Sequence, residues 1–195
     1  MKVLFINNFD SFVWNLVDYV SVFEGNTVVV PNTVGLSEVE EINPDAIIVS
    51  PGPGNPTKSS DIGSCLEIIK SYKEIPMLGI CLGHQAIAVA FGGKISRVSP
   101  VHGKTSEILH DEKSILEGIP NPLEGGRYHS LIVSEVPKEM DVSARAEDPC
   151  DSSNLVMGIR HKKYPMEGLQ FHPESILTPE GLKIIENFIE MAKTY

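Results

Sequence analysis

Long apolar runs are missing from this chain of 195 residues. The run Val3-Leu4-Phe5-Ile6 gives way at once to Asn7 and Asn8. That is too short for a signal-peptide core, and no later stretch approaches the ~20 apolar residues of a spanning helix. Neither export nor a membrane role is expected. Basic residues are scarce as well, 16 Lys+Arg against 26 Asp+Glu, for a formal net charge of −10. Nucleic acids and anionic membranes attract clustered Lys and Arg, and the longest basic cluster is Arg160-His161-Lys162-Lys163. Neither is an expected partner. Cysteine is sparse: Cys65, Cys81 and Cys150 cannot all pair, and no two stand at C-x-x-C spacing. A reduced, cytoplasmic protein is the expectation. No H-x-x-x-H spacing occurs, so no metal site is expected.

What is present is the composition of a folded domain, 42% hydrophobic and 22% charged, without repeat or linker. At this length one domain over residues 1–195 is expected. Val3–Ile6, Thr27–Val30, Ala46–Val49 and Met77–Ile80 are short, doubly apolar segments of the kind buried in parallel sheets. Amphipathic stretches near Phe12–Phe23, Ile62–Tyr72 and Gln85–Phe91 read as helices. Asp10 or Ser11 is a candidate cap for the first, and Asp61 for the second.

Beyond residue 95 the pattern changes to strands separated by Gly and Pro turns: Ser106–Leu109, Leu131–Ser134, Asp141–Arg145, Val156–Arg160 and Gly168–Phe171. A last helix is predicted from Pro179 to Lys193, capped by Thr178. The expected class is α/β, a three-layer αβα sandwich whose mostly parallel sheet has an antiparallel extension.

Chemistry concentrates in three places. Gly79-Ile80-Cys81-Leu82-Gly83 has the form G-x-C-x-G between a predicted strand and a predicted helix. In that context G-x-S-x-G builds a nucleophile elbow, a strained turn that lifts the nucleophile to a helix N-terminus. The flanking glycines let the chains pass, and the helix end favours a thiolate. A buried structural cysteine is the competing reading. His172-Pro173-Glu174 supplies a base and an orienter: in extended chain, residues two apart point the same way, so Glu174 can reach the His172 imidazole. By itself H-P-E is also an ordinary surface turn.

The third place, Ser50-Pro51-Gly52-Pro53-Gly54-Asn55-Pro56-Thr57-Lys58-Ser59, imitates two phosphate motifs, and both fail at Thr57, where a glycine is required. Pro53 and Pro56 remove N–H donors besides. A rigid loop with one or two free glycine N–H groups suits a single oxyanion better.

Together Ser50-Pro51-Gly52-Pro53-Gly54, Gly79–Gln85 and Phe171-His172-Pro173-Glu174-Ser175 resemble the class I, triad-type glutamine amidotransferases. Asn7–Phe12, His102-Gly103-Lys104, Arg127–Leu131 and His172–Thr178 extend the resemblance to the glutaminase subunits of anthranilate synthase and, as an alternative, aminodeoxychorismate synthase. Two departures stand out: Asn7 occupies a position where Asp is common, and Glu124-Gly125-Gly126 is unusual.

The resemblance implies a flavodoxin-like fold and hydrolysis of L-glutamine through a γ-glutamyl thioester on Cys81, with His172 as acid and base and Glu174 orienting it. It further implies oxyanion contacts from Leu82 and the Gly52-Pro53-Gly54 loop, Gly52 foremost, and glutamine contacts from Gln85, Ser130 and Leu131. It implies no cofactor in this chain and a separate chorismate-binding synthase subunit that carries Mg²⁺. Asn8–Ser11 and His102–Ser106 are the expected docking loops. Two other readings remain open from the residues alone: a Cys hydrolase of another amide, and a non-enzymatic thiol-sensing module.

Overall fold

The computed structural model describes residues 1–148 and 154–195; Cys150 lies outside the described residues. The first half alternates strand and helix as follows: β1 (Lys2–Asn7), α1 (Phe12–Ser21), β2 (Asn26–Pro31), α2 (Leu36–Ile42), β3 (Ala46–Val49), α3 (Ser59–Ile62), α4 (Cys65–Ser71), β4 (Met77–Ile80) and α5 (Leu82–Ala90). The second half is rich in strands: β5 (Lys94–Arg97), β6 (Lys104–His110), β7 (Leu123–Arg127), β8 (Leu131–Glu135), β9 (Met140–Glu147), β10 (Asn154–His161) and β11 (Met166–Leu169), closed by helix α6 (Gly181–Lys193).

One sheet of nine strands runs β2-β1-β3-β4-β11-β10-β9-β6-β7. From β2 to β11 it is parallel, and beyond β11 antiparallel. Strand side chains alternate between faces, and the central strands are apolar on both. Val3, Phe5, Ala46, Ile48, Leu78 and Ile80 pack with α1 and α6 on one face. Leu4, Ile6, Ile47, Val49 and Met77 pack with α2, α4 and α5 on the other. The result is the three-layer arrangement expected, with the chemistry at the carboxyl ends of the parallel strands, where such sheets carry their crevice.

Several local expectations are corrected. The stretch Ile62–Tyr72 is two helices, α3 and α4, broken at Gly63, whose φ is +53° and whose site a Cβ would bring to 2.2 Å from the Asn32 carbonyl oxygen. Asp61 therefore sits inside α3 rather than capping a helix; its carboxylate accepts the Asn55 N–H at 2.9 Å. Helix α6 begins after Glu180, so Thr178 does not cap it. β8 leaves the main sheet and pairs with β5 alone, and the strand expected to run through Phe171 ends at Leu169.

Three elements escaped the hydropathy pattern. Helix α2 is held at its start by Glu38, whose carboxylate accepts the Gly35 N–H at 3.0 Å. β5 is half-buried and polar at both ends. β7, Leu-Glu-Gly-Gly-Arg, has poor strand propensity but is needed as drawn, because a Cβ on Gly125 would lie 2.3 Å from Ile108 Cδ1.

Candidate active site

Cys81 joins β4 directly to α5 with φ 51° and ψ −98°, a strained conformation for a residue that carries a Cβ. The fold enforces it from both sides. A Cβ on Gly79 would lie 2.5 Å from the Gly83 carbonyl, and one on Gly83 would lie 2.1 Å from the Val49 carbonyl oxygen. Only glycine at both positions lets α5 start this close to β3 and β4. The Cys81 N–H donates to the Leu169 carbonyl at 2.8 Å, and its thiol stands at the first turn of α5, 7% exposed.

Two residues past β11 the chain carries His172 to the same place. The His172 N–H donates to the Gly126 carbonyl at 3.0 Å. The Thr178 hydroxyl donates to the His172 carbonyl at 2.7 Å and accepts the Gly126 N–H at 2.9 Å. Thr178, read from sequence as a helix cap, is thus the clamp that fixes the backbone of His172. Phe12 and Tyr128 pack edgewise on the imidazole, with ring centroids 5.6 and 5.1 Å away.

Glu174 Oε1 lies 2.7 Å from His172 Nδ1, and both residues are 2% exposed. Burial alone would push the imidazole down, but the Cys81 side chain and the Glu174 carboxylate outweigh it and raise it from 6.5 to about 10. Among the described residues, His172 Nε2 has no fully formed hydrogen bond, although the Cys81 side chain is near enough to act on it. Loose contacts of this kind are common between catalytic partners before substrate arrives. Nucleophile, base and orienter are therefore brought together, with Glu174 at Nδ1 leaving Nε2 for the sulfur.

The loop after β3 meets the elbow at one residue. A Cβ on Gly52 would lie 2.9 Å from Leu82 Cδ2 and 2.5 Å from Asn8 Cβ, so the Gly52 backbone touches the start of α5. Pro53 and Gly54 are exposed, and Gly54 (φ +105°) turns against the Asp61 carboxylate. Gln85 is buried, and its Nε2 donates to the Leu131 carbonyl at 2.9 Å. Ser130 is exposed, and its carbonyl accepts the Val98 N–H at 3.0 Å. Asn7, where Asp is common, presents its Oδ1 to the Asp10 N–H at 3.1 Å, a task for which either side chain suffices.

The sequence reading overlooked three contributors. Asn8 is buried and ties β1 to the Ser50 loop by two bonds of 2.9 Å. Thr178 was given another role, and Gln170, buried beside the sulfur, was not singled out. Cys65 donates its thiol to Asn8 Oδ1 at 3.3 Å, and burial pushes it up to about 12, which leaves it inert. His84 is fully buried against the backbone of Gly168, and burial pushes it down to about 4. Among the described residues no group of three or more His, Cys, Asp or Glu is placed to hold a metal, and no helix is long and apolar enough to cross a membrane.

Comparison with known proteins gives the same picture from another direction. Residues 4–192 match the family glutamine amidotransferase class-I. The anthranilate synthase component 2 of Thermococcus kodakarensis is 54% identical over 195 residues, covering 98% of each chain. That of Methanocaldococcus jannaschii is 52% identical, covering 97% of this chain and 96% of its own. A solved structure from Thermoplasma acidophilum, described as part of a GMP synthase, superposes with a TM-score of 0.89 at 26% identity, covering 100% of this chain and 95% of that one. With the family matched from the first strand to the last helix, and a cysteine, a histidine and a glutamate converging at an elbow, this chain belongs to the class-I glutamine amidotransferases.

Proposed function

We propose that this chain is the glutaminase subunit of an anthranilate synthase: it hydrolyses L-glutamine and passes the ammonia to a chorismate-binding partner. One observation carries the chemistry, the buried His172–Glu174 pair at 2.7 Å set beside a cysteine held at positive φ. The Cys81 thiolate attacks the side-chain amide of glutamine. The resulting oxyanion is held by the N–H groups of Leu82, at the start of α5, and of Gly52, which packs against it. His172 gives its proton to the amide nitrogen, the C–N bond breaks, and ammonia leaves behind a γ-glutamyl thioester. His172, now neutral, takes a proton from water as its oxygen attacks the thioester. The C–S bond then breaks to release glutamate and restore the thiolate. Glu174 keeps Nδ1 protonated throughout, so that Nε2 handles every proton. Gln85, Ser130 and Leu131 hold the amino-acid end of the substrate.

The surface beside the site supports a partner. Phe9 and Ile176 are 67% and 93% exposed, and each lies next to a residue of the site, Asn8 and Ser175. Large apolar side chains so placed mark an interaction face. The names of the most similar relatives point to anthranilate synthase as the complex and to its chorismate-using component as the partner. Mg²⁺ belongs to that partner, and the chain works in the cytoplasm. Replacing Cys81 with Ser in the complex is expected to abolish glutamine-dependent anthranilate formation while sparing ammonia-dependent formation. Equal loss of both would overturn the reading, and aminodeoxychorismate as the product would reassign the pathway.

A further inference from the structure

A chain of hydrogen bonds ends on the nucleophile. Arg127 Nε donates to His129 Nε2 at 3.0 Å, and His129 Nδ1 meets the Leu131 carbonyl at 3.1 Å. The same carbonyl accepts Gln85 Nε2 at 2.9 Å; Gln85 Nε2 also donates to Gln170 Oε1 at 3.0 Å, and Gln170 Nε2 lies 3.5 Å from Cys81 Sγ. Arg127, Gln85 and Gln170 are 1%, 3% and 0% exposed and His129 4%, so water does not compete for these bonds.

The direction of every link is fixed by groups that cannot be reversed. A guanidinium only donates, so His129 Nε2 must be an unprotonated acceptor and Nδ1 must carry the proton. Burial, reinforced by the Arg127 charge, holds His129 neutral by pushing it down to about 3. A backbone carbonyl only accepts, so the Gln85 atom facing Leu131 must be its NH₂. Both protons of that NH₂ are then committed, one to the Leu131 carbonyl and one to Gln170, which must therefore present its oxygen to Gln85 and its own NH₂ to the sulfur.

We infer that Gln170 is a catalytic residue that donates an N–H to the Cys81 thiolate, its orientation dictated through Gln85 by the Leu131 carbonyl. This deepens the proposed function and rests on it for the reaction, though not for the contact itself. A donor at the sulfur favours its anionic form. It therefore holds the resting nucleophile in place and stabilises the departing thiolate when the γ-glutamyl thioester is cleaved. No atom is transferred by Gln170. The arrangement also gives Gln85 two duties: with both protons spent inside the protein, only its Oε1 is left to accept a proton from the ammonium group of bound glutamine.

The test is alkylation of Cys81 by iodoacetamide as a function of pH in the full chain, with Cys65 inert in the core. The groups facing the sulfur are His172, backed by Glu174, from the segment after β11, and neutral His84 and His129 from α5 and from the loop before β8; all are retained in the variants. Gln170→Met fills the same space without a donor. Its alkylation is expected to be about tenfold slower than wild type at pH 6, with the two curves converging above about pH 9. Gln170→Glu, which sets an acceptor against the sulfur, is expected to be slower still at pH 6 and serves equally if the Met variant does not fold. Superimposable curves for wild type and either folded variant would overturn the inference. A protein whose alkylation responds to Gln170 but which releases no glutamate from glutamine would instead refute the proposed function alone.

Discussion

His84 makes acid stability a quantitative test of the packing around the elbow. It is 0% exposed, its two ring nitrogens have no fully formed hydrogen bond among the described residues, and burial brings it down from 6.5 to about 4. Its depressed value means that the unfolded chain binds this proton more readily than the folded one, so stability falls as the pH drops from above 6.5 toward 4. At about 1.4 kcal/mol per pH unit the full penalty is about 3 kcal/mol, and between pH 7 and pH 5 it is about 2 kcal/mol. His129, held at about 3, acts in the same direction, so the wild type must be compared with a variant in which only His84 has gone. His84→Leu replaces a neutral ring by an apolar group of similar size. Urea unfolding followed by far-ultraviolet circular dichroism is the suitable assay, because Trp14 is 56% exposed and reports the core poorly. Between pH 7 and pH 5 the wild type is expected to lose about 2 kcal/mol more than His84→Leu. Equal losses would refute the reasoning, since they would mean that His84 finds a charge partner or water when it is protonated.

Other consequences follow from the same contacts. Gly83→Ala places a Cβ 2.1 Å from the Val49 carbonyl oxygen, so α5 must move; a melting temperature lower by about 5–10 °C is expected, together with loss of glutamine hydrolysis. Thr178→Val keeps the shape but strips partners from the Gly126 N–H and the His172 carbonyl. It is expected to cost about 2 kcal/mol in chemical denaturation and to lower kcat more than it raises KM. Because Cys81 and Glu174 both raise His172 against the effect of burial, its imidazolium should persist to about pH 10 in proton NMR, whereas in Cys81→Ser and in Glu174→Gln it should titrate at lower pH. Phe9→Asp and Ile176→Asp are expected to weaken association with the synthase partner in analytical ultracentrifugation, with the melting temperature unchanged.

Much of this molecule is legible along the chain because the signals are local. Doubly apolar strands announce a buried parallel sheet, and G-x-C-x-G states in five residues which positions cannot carry a Cβ. H-P-E states that two side chains share one side of an extended segment. Where the reading slipped, contacts distant in sequence had overruled local preference. Gly125 and Gly126 make a poor strand alone, yet they form β7 because Ile108 and Phe171 leave no room for a side chain at Gly125, and Leu177 and Ser175 crowd Gly126. Thr178 has the look of a helix cap and instead bonds His172 and Gly126, six and 52 residues away.

The sequence by itself determined the α/β class, the identity of nucleophile, base and orienter, and the need for glycine on either side of Cys81, because each depends on neighbours within a few residues. Tertiary structure alone decided which atom faces which. Gln170 and Gln85 can each be flipped by a half-turn at little local cost. Their polarity is set only when folding brings the carbonyl of Leu131, 46 residues from Gln85, within reach of one amide and the sulfur of Cys81, 89 residues from Gln170, within reach of the other.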